Sequence, residues 1–400
     1  MSGTGRLLFL ASSFPFGTND TFFGPEAREL VRQGTHLLVV PVRPRGDQTT
    51  ENGGWTTIRK PLVDAGILAS AAAELARSPR RVLAAFVLLA RSPRPSVLLR
   101  NLSAFPKALW CARLARRHHI DHIHAHWAGP PSTVAMIAAE LSGVPWSLTA
   151  HFADIEANNL FREKCRSAHF VRFIANAMTE VARQTETGLD ESRWEVLHLG
   201  IDLPPRNDRD RALHDPPRLL MSARFDPEKR HDVLVDAVAE LRRRGIAVEA
   251  WLAGTGPLLE DVRSRADREG VADRVRFLGY VRNDRLLRFL EEGDVDLVVL
   301  PSDAEGIPVS LIEGLAYQVP AVGCDAGGVR ELLDDGCGEL AEPPNGQGVA
   351  ATIERLLQDQ ALRRENVVRG RARVEREFSA IQTARRLREL IGFAEGSAPK

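Results

Sequence analysis

The chain has 400 residues, 44% of them hydrophobic, with 53 Lys/Arg against 53 Asp/Glu. That length and apolar content suit two domains with a real core each, and zero formal net charge argues against a general nucleic-acid binder. The charge is nevertheless uneven: residues 1–200 carry 23 Lys/Arg against 17 Asp/Glu, and residues 201–400 carry 30 against 36, so the basic first half suits contact with anionic lipid or an anionic acceptor.

Arg6 is followed by only five apolar residues, Leu7 to Ala11, before polar ones. This reads as a first strand and not as a signal peptide. The longest clean apolar run, Val82 to Ala90, is far short of the ~20 residues that cross a bilayer. Cys111, Cys165, Cys324 and Cys337 show no Cys-x-x-Cys or zinc spacing, as expected of reduced thiols. The expected location is cytoplasmic, either free or peripheral on the inner membrane face.

Apolar strand-like runs alternate with helical patterns throughout, the mark of parallel α/β domains. In the first half the strands are expected at Arg6–Ala11, His36–Pro41, His122–His126, Ser147–His151, Val171–Ala175 and Trp194–His198. The loop after the first strand contains Gly17, Thr21, Phe22 and Gly24, and its glycines would let backbone approach a ligand closely. Ten Lys/Arg residues and no acid lie between Glu74 and Asp121, interleaved with Val82–Ala90, Val97–Leu99 and Leu109–Trp110. Residues 75–120 therefore read either as a membrane-surface face or as helices with a solvated basic side.

His122, His124 and His126 alternate on one strand face, where convergence on a single ion is poor. No metal site is expected, and His126 is the member that reaches the end of the strand. His151 also stands at a strand's carboxyl end. Asp154 would either orient that site or cap the next helix. A Pro/Arg/Asp-rich stretch then marks a linker over 201–217, dividing a domain of residues 1–200 from one of residues 218–378. A final helical pattern occupies 379–400.

The second series of strands is expected at Arg218–Ser222, Val248–Ala253, Val275–Leu278, Asp296–Leu300 and Ala321–Val322. Arg224 and Lys229 follow the first of these, and their spacing lets a forked donor and a point charge converge on one diphosphate. Asp294-Val295-Asp296 directly precedes an all-apolar run and reads as the lead-in to a buried strand. Pro301 and Ser302 stop that strand, and Gly306 and Pro308 sit where a helix begins. The free N–H groups of its first turn would attract a phosphate. Glu305 in the loop and Glu313 about two turns into the helix can grip hydroxyls at opposite ends of a nucleotide sugar, Glu305 near the sugar and Glu313 near the ribose.

Glu305-x7-Glu313, set between Leu300-Pro301-Ser302 and Gly314-Leu315-Ala316, resembles the signature of glycosyltransferase family 4. His124-Ala125-His126-Trp127, Thr149-Ala150-His151-Phe152 and the Phe14-Pro15, Thr21-Phe22-Phe23 loop are similar to its colanic-acid-type, exopolysaccharide-building members. Ala223 and Arg230 stand where that family commonly has glycine, which bears on the path of the loop but not on its cations. The resemblance implies a GT-B fold, two Rossmann-like domains facing across a cleft, with the last helix packing back on the first. It implies a retaining transferase using a UDP-, GDP- or ADP-sugar and a glycan or lipid-linked acceptor, with no metal and no nucleic acid.

By the same resemblance, the catalytic group is His151, Arg224, Lys229 and Glu305. Gly279, Tyr280, Val281, Gly306, Ile307, Pro308, Val309, Ser310 and Glu313 bind the donor. Gly17, Thr21, Phe22, Gly24, His126 and Asp154 lie on the acceptor side. The alternatives are a nucleotide-sugar epimerase of the same fold, which needs acid and base groups flanking C2, and a carbohydrate- or nucleotide-binding scaffold without catalysis.

Overall fold

The computed structural model describes residues 5–17, 21–48, 50, 53–207 and 212–393. These form two compact units, the first running to Ile201 and resuming at Ala380, the second spanning Asp202–Ser379. Among the described residues unit one carries seven parallel strands: β1 (Arg6–Ala11), β2 (His36–Pro41), β3 (Thr56–Thr57), β4 (His122–His126), β5 (Trp146–Ala150), β6 (Val171–Phe173) and β7 (Trp194–Val196). Unit two carries six: β8 (Arg218–Ser222), β9 (Glu249–Ala253), β10 (Val275–Gly279), β11 (Leu297–Leu300), β12 (Ala321–Gly323) and β13 (Glu339–Leu340).

The strand orders are β3-β2-β1-β4-β5-β6-β7 and β10-β9-β8-β11-β12-β13. Each order reverses direction once, between β1 and β4 in unit one and between β8 and β11 in unit two. Loops leaving two such strands diverge to opposite faces of the sheet, which opens a crevice at the carboxyl edge. The apolar runs that sequence periodicity singles out are the central strands: all four residues of β11 are buried, as are the last five of β1. The two-residue strands β3 and β13 are too short to show any periodicity, and they were not anticipated.

Several boundaries differ from the expected ones by one or two residues. Strand β5 ends at Ala150, so His151 opens the following turn, and β11 starts at Leu297. Asp296 takes the backbone N–H of Arg218 at 2.6 Å and that of His214 at 3.2 Å, at the amino end of β11 and away from the carboxyl edge. The stretch expected to be a linker makes contacts with unit two. Arg371 donates to the Pro204 carbonyl at 2.7 Å, and Arg206 pairs with Glu375. Residues 208–211 of that stretch lie outside the described residues.

In unit one the helix Ala380–Ile391 places Ala384 and Leu387 in a core with Phe9, Phe14, Phe23, Leu30 and Trp55. Its first residue donates to the Ile201 carbonyl at 2.9 Å. Gly200 is required there, since a Cβ would lie 2.1 Å from Thr383 Oγ1 and 2.6 Å from Ala380 Cα. Arg172 on β6 and Glu26 form a buried bidentate pair, both contacts at 2.7 Å. The basic stretch folds as the helices Ala65–Arg77, Pro79–Leu89 and Pro95–Arg117. Not all of its cations are at the surface: Lys107 is buried, donating to the carbonyls of Pro41, Val42 and Lys60, and Arg116 turns inward to the fully buried Glu74. No described helix is long and apolar enough to cross a membrane.

Candidate active site

In unit two the carboxyl edge is built from the loops that follow β8, β9, β10, β11 and β12. Backbone hydrogen bonds and close glycine approaches set their spacing. Ala223 N–H donates to the Ala253 carbonyl and Phe225 N–H to the Thr255 carbonyl, both at 3.0 Å, while Gly254 N–H reaches the Gly279 carbonyl at 2.8 Å. Across the strand-order reversal, Asp303 N–H donates to the Glu228 carbonyl at 3.0 Å, joining the loop after β8 to the loop after β11. Gly327, in the turn after β12, lies so close to the Glu305 carbonyl that a Cβ there would sit 1.8 Å from it. The Gly328 N–H then donates to Gly306.

This scaffold brings Lys229 and Glu305 together, 76 positions apart in sequence, with Nζ to Oε1 at 2.8 Å. Glu305 is buried and the Lys229 side chain retains 23% exposure. Arg224 behaves differently. Its side chain is 69% exposed and engages Asp226 of its own loop, Nε to Oδ2 at 3.0 Å. Of the two cations expected to converge on one diphosphate, Lys229 is paired across the reversal and Arg224 within its own loop.

Pro308 caps the helix Val309–Ala316, which follows Glu305, Gly306 and the buried Ile307. Glu313 on that helix is half-buried and accepts from Asn283 Nδ2 at 2.7 Å. Burial pushes its carboxyl up to about 7, partly countered by the Asn283 hydrogen bond. Asn283, the first residue of the helix Asn283–Glu292, was not singled out from the sequence. The only signal for it there is its place just after Gly279-Tyr280-Val281. Gly279 adopts φ +66 at the end of β10, Val281 is half-buried, and Tyr280 is exposed. Val309 and Ser310, in the first turn of the helix, are half-buried.

In unit one the reversal places the loop after β1 beside the loop after β4. His126 at the end of β4 and His151 just after β5 meet Nε2 to Nε2 at 2.7 Å. One of the two rings must donate and the other accept. Trp127 stacks on His151 with centroids 4.1 Å apart, Phe23 lies over His126 at 3.5 Å, and Phe22 meets His151 edge-on at 6.1 Å. This apolar enclosure pushes His151 down to about 3 and His126 well below the ordinary imidazole value. His151 is therefore a neutral hydrogen-bonding group. Trp127, at φ +86, was passed over as a site residue although it stands in the quoted His-Ala-His-Trp run.

Asp154 caps the next helix, the alternative to a site role: its Oδ2 accepts from the N-capping His151 N–H at 3.3 Å, and also from Ala128 N–H at 2.9 Å. It binds the loop after β4 to the turn after β5. Gly17 pairs its N–H with the Asp47 carbonyl at 2.9 Å, and Gly24 opens the helix Gly24–Arg32. Thr21 begins a short 3-10 turn, but its side chain lies outside what is described, as do residues 18–20 of the same loop. His122 and His124 share Ser147 Oγ at 2.8 Å each, and His124 also meets Thr149 Oγ1. Among the described residues no group of three His, Cys, Asp or Glu is placed to hold a metal ion.

Two open parallel sheets, each with one strand-order reversal and a glycine-rich carboxyl edge, define a glycosyltransferase fold of the GT-B class. The family described as Glycosyl transferases group 1 matches residues 206–373 and Glycosyltransferase Family 4 matches residues 26–204. The D-inositol 3-phosphate glycosyltransferase of Salinispora tropica is 32% identical over 336 residues, covering 74% of this chain and 68% of that protein. The chain belongs to glycosyltransferase family 4. The amylovoran biosynthesis glycosyltransferase AmsK of Erwinia amylovora is 31% identical over 210 residues, 51% of this chain and about half, 52%, of the relative. Anabaena HepE in complex with UDP-glucose superposes with a TM-score of 0.70 at 18% identity, covering 97% of this chain and 100% of that one.

Proposed function

We propose that this protein transfers a sugar, with retention of configuration, from a nucleotide-diphosphate-sugar to a hydroxyl of a glycan or lipid-linked glycan. Unit two takes the donor and unit one serves the acceptor. The observation that carries this reading is the Lys229–Glu305 pair, set on adjoining carboxyl-edge loops immediately before the helix Val309–Ala316. As the bond from the anomeric carbon to the diphosphate breaks, negative charge grows on the leaving group. A partly exposed ammonium and the free amides of a helix start are groups that stabilise such charge. The acceptor oxygen forms the new bond to the anomeric carbon, and its proton passes to the departing diphosphate.

In this reading Glu305 holds Lys229 in place while the site is empty and then accepts from a sugar hydroxyl. Glu313 accepts from the ribose. His151, being neutral, offers a hydrogen bond and not a proton. No step uses a metal. The likeness to the amylovoran biosynthesis glycosyltransferase AmsK supports a polysaccharide-type acceptor, and the UDP-glucose bound by HepE supports a nucleotide-sugar donor.

A thermal-shift screen with UDP-, GDP- and ADP-sugars should raise the melting temperature for one of them. NMR of the product from that donor should show the donor's anomeric configuration, and added EDTA should leave the rate unchanged. An inverted product would remove the retaining assignment. A donor epimerised without any acceptor would replace the reading with an epimerase.

A further inference from the structure

Among the described residues seven other than glycine have positive φ, and six of these fall between +46 and +61, in or beside the small left-handed region that L-residues visit. Trp127 stands apart at +86. A bulky side chain with that backbone is held there by its surroundings and not by its own preference.

Three elements hold it. Trp127 N–H donates to the Thr149 carbonyl on β5 at 3.1 Å, and the next N–H, that of Ala128, donates to Asp154 Oδ2 at 2.9 Å. Lys164, on the helix Phe161–Ser167, donates to the Ala128 carbonyl at 2.6 Å and to that of Gly129 at 3.1 Å. Its side chain is fully buried, and burial pushes it down to about 7, with Asp154 the leading charge that opposes the shift. Taking an ammonium out of water is costly, and an ordinary turn needs none. This turn is fixed at two N–H groups and two carbonyls in a row.

What the strained backbone presents is the indole. It stacks on the His151 imidazole with centroids 4.1 Å apart and planes 28° apart, while Phe22, Phe23 and His126 meet it edge-on at 6.2 Å. The χ2 torsion of a histidine is broad, so rotamer preference does not choose the plane of the ring. Contact chooses it: Trp127 covers one face of His151, and His126 Nε2 meets its Nε2 at 2.7 Å.

We propose that Trp127 is a positioning residue: the clamp of Thr149, Asp154 and Lys164 holds its indole flat against His151, and this fixes the plane in which the imidazole offers its hydrogen bond to the donor sugar. Trp127 makes no contact with the sugar in this role. The proposal rests on the transferase reading for what His151 does, but not for what holds His151.

Kinetics of Trp127→Ala, Trp127→Phe and Lys164→Met, with NMR of the full chain labelled at histidine, test it. A group displaced by about an ångström loses ~10²-fold in rate, so Trp127→Ala should lower kcat about 100-fold. The donor KM should stay within about twofold, as for an interaction that matters only in the transition state. Trp127→Phe keeps an aromatic face and should retain kcat within about fivefold. Lys164→Met frees two carbonyls without touching the indole, and should lower kcat about tenfold. The His151 ring proton, identified with His151→Gln, should move downfield in Trp127→Ala, out of the indole ring current, and move less in Trp127→Phe. Trp127→Gly should melt no lower than Trp127→Ala, since glycine accepts φ +86 and alanine does not.

A kcat within about threefold of wild type in Trp127→Ala overturns the proposal, and so does a loss carried by KM, which would make the indole a platform for the sugar itself. Trp127→Phe as slow as Trp127→Ala, or Trp127→Gly melting below Trp127→Ala, overturns it too. Wild-type kcat in Lys164→Met removes the clamp, and decides the matter if Trp127→Ala does not fold. If the wild type transfers sugar from no nucleotide donor, the transferase reading fails by itself, and an unmoved His151 resonance in Trp127→Ala is then the result that overturns the stack.

Discussion

In unit one, Lys107, Lys164, Arg172 and Glu74 are fully excluded from solvent, whereas the cation at the candidate site of unit two, Lys229, keeps part of its surface open. The buried cations are spoken for by their own chain. Lys107 donates to three carbonyls, Lys164 to those of Ala128 and Gly129, and Arg172 to Glu26 and the Leu197 carbonyl. Lys229 has a single carboxylate partner on a loop. A saturated, buried cation holds structure together; a cation with one exchangeable partner and a path to solvent can turn to a ligand. The same contrast applies to histidine: among the described residues unit one buries His122, His124, His126 and His151, and unit two only His231.

The largest expected break in this comparison is Glu26→Ala, which strands the Arg172 guanidinium inside unit one. Loss of about 3–5 kcal/mol should be seen in urea unfolding. A cost below ~1 kcal/mol would mean that water reaches Arg172 and that the pair is not what holds β6 to the helix Gly24–Arg32. Lys229→Ala in unit two should cost less stability than Glu26→Ala, although it leaves the Glu305 carboxylate unpaired, while kcat falls ~10²–10³-fold. Wild-type turnover by that variant would remove the diphosphate assignment altogether. Arg224→Ala should cost less than Lys229→Ala, since its guanidinium is mostly solvated beside Asp226.

Acid separates the units next. Burial lowers His122 and His151 to about 3 and depresses His124 and His126 as well, so between pH ~6.5 and ~3 the unfolded chain binds protons that folded unit one does not. Stability of unit one is then lost as pH falls, by up to about 1.4 kcal/mol per pH unit for each such histidine. In unit two the raised carboxyl of Glu313 works in the other direction. It takes up a proton near 7 when folded and nearer the ordinary glutamate value when unfolded, so it adds stability as pH falls through that window, against the loss from His231 at about 4. Hydrogen exchange followed by mass spectrometry between pH 7 and 5 should show protection fading first in β4 and β5. Equal loss from β8 and β11 would contradict the contrast.

The smallest effect concerns the residue that the sequence did not flag. Asn283→Ala removes one hydrogen bond to Glu313, worth ~1 kcal/mol, and should raise the donor KM by about fivefold with kcat nearly intact. An unchanged KM would detach Asn283 and Glu313 from the donor.

Much of this could be read before any coordinates, because it depends on local pattern. The β-branched run before Pro301 is a strand buried on both faces, and Gly306 and Pro308 mark the start of the helix, since period and φ restriction act within a few residues. The same holds for β1, β2, β4 and β8, whose limits agree with their hydrophobic runs. The family signature is likewise a matter of residues close in sequence.

Which partner each charged or aromatic side chain meets was decided elsewhere. Lys229 lies 76 positions from Glu305, and His126 25 from His151. Only the order of strands in the open parallel sheets brings those loops edge to edge. Local sequence placed Arg224 and Lys229 on one loop and made a shared fork plausible; the packed loops gave one of them to Asp226 and the other to Glu305. The exposure of Leu83, Phe86 and Val87 on the helix Pro79–Leu89 belongs to the same category, for nothing local tells which apolar residues of a helix the fold will cover. Period and punctuation are set by neighbours along the chain, whereas burial and pairing are set by neighbours in space.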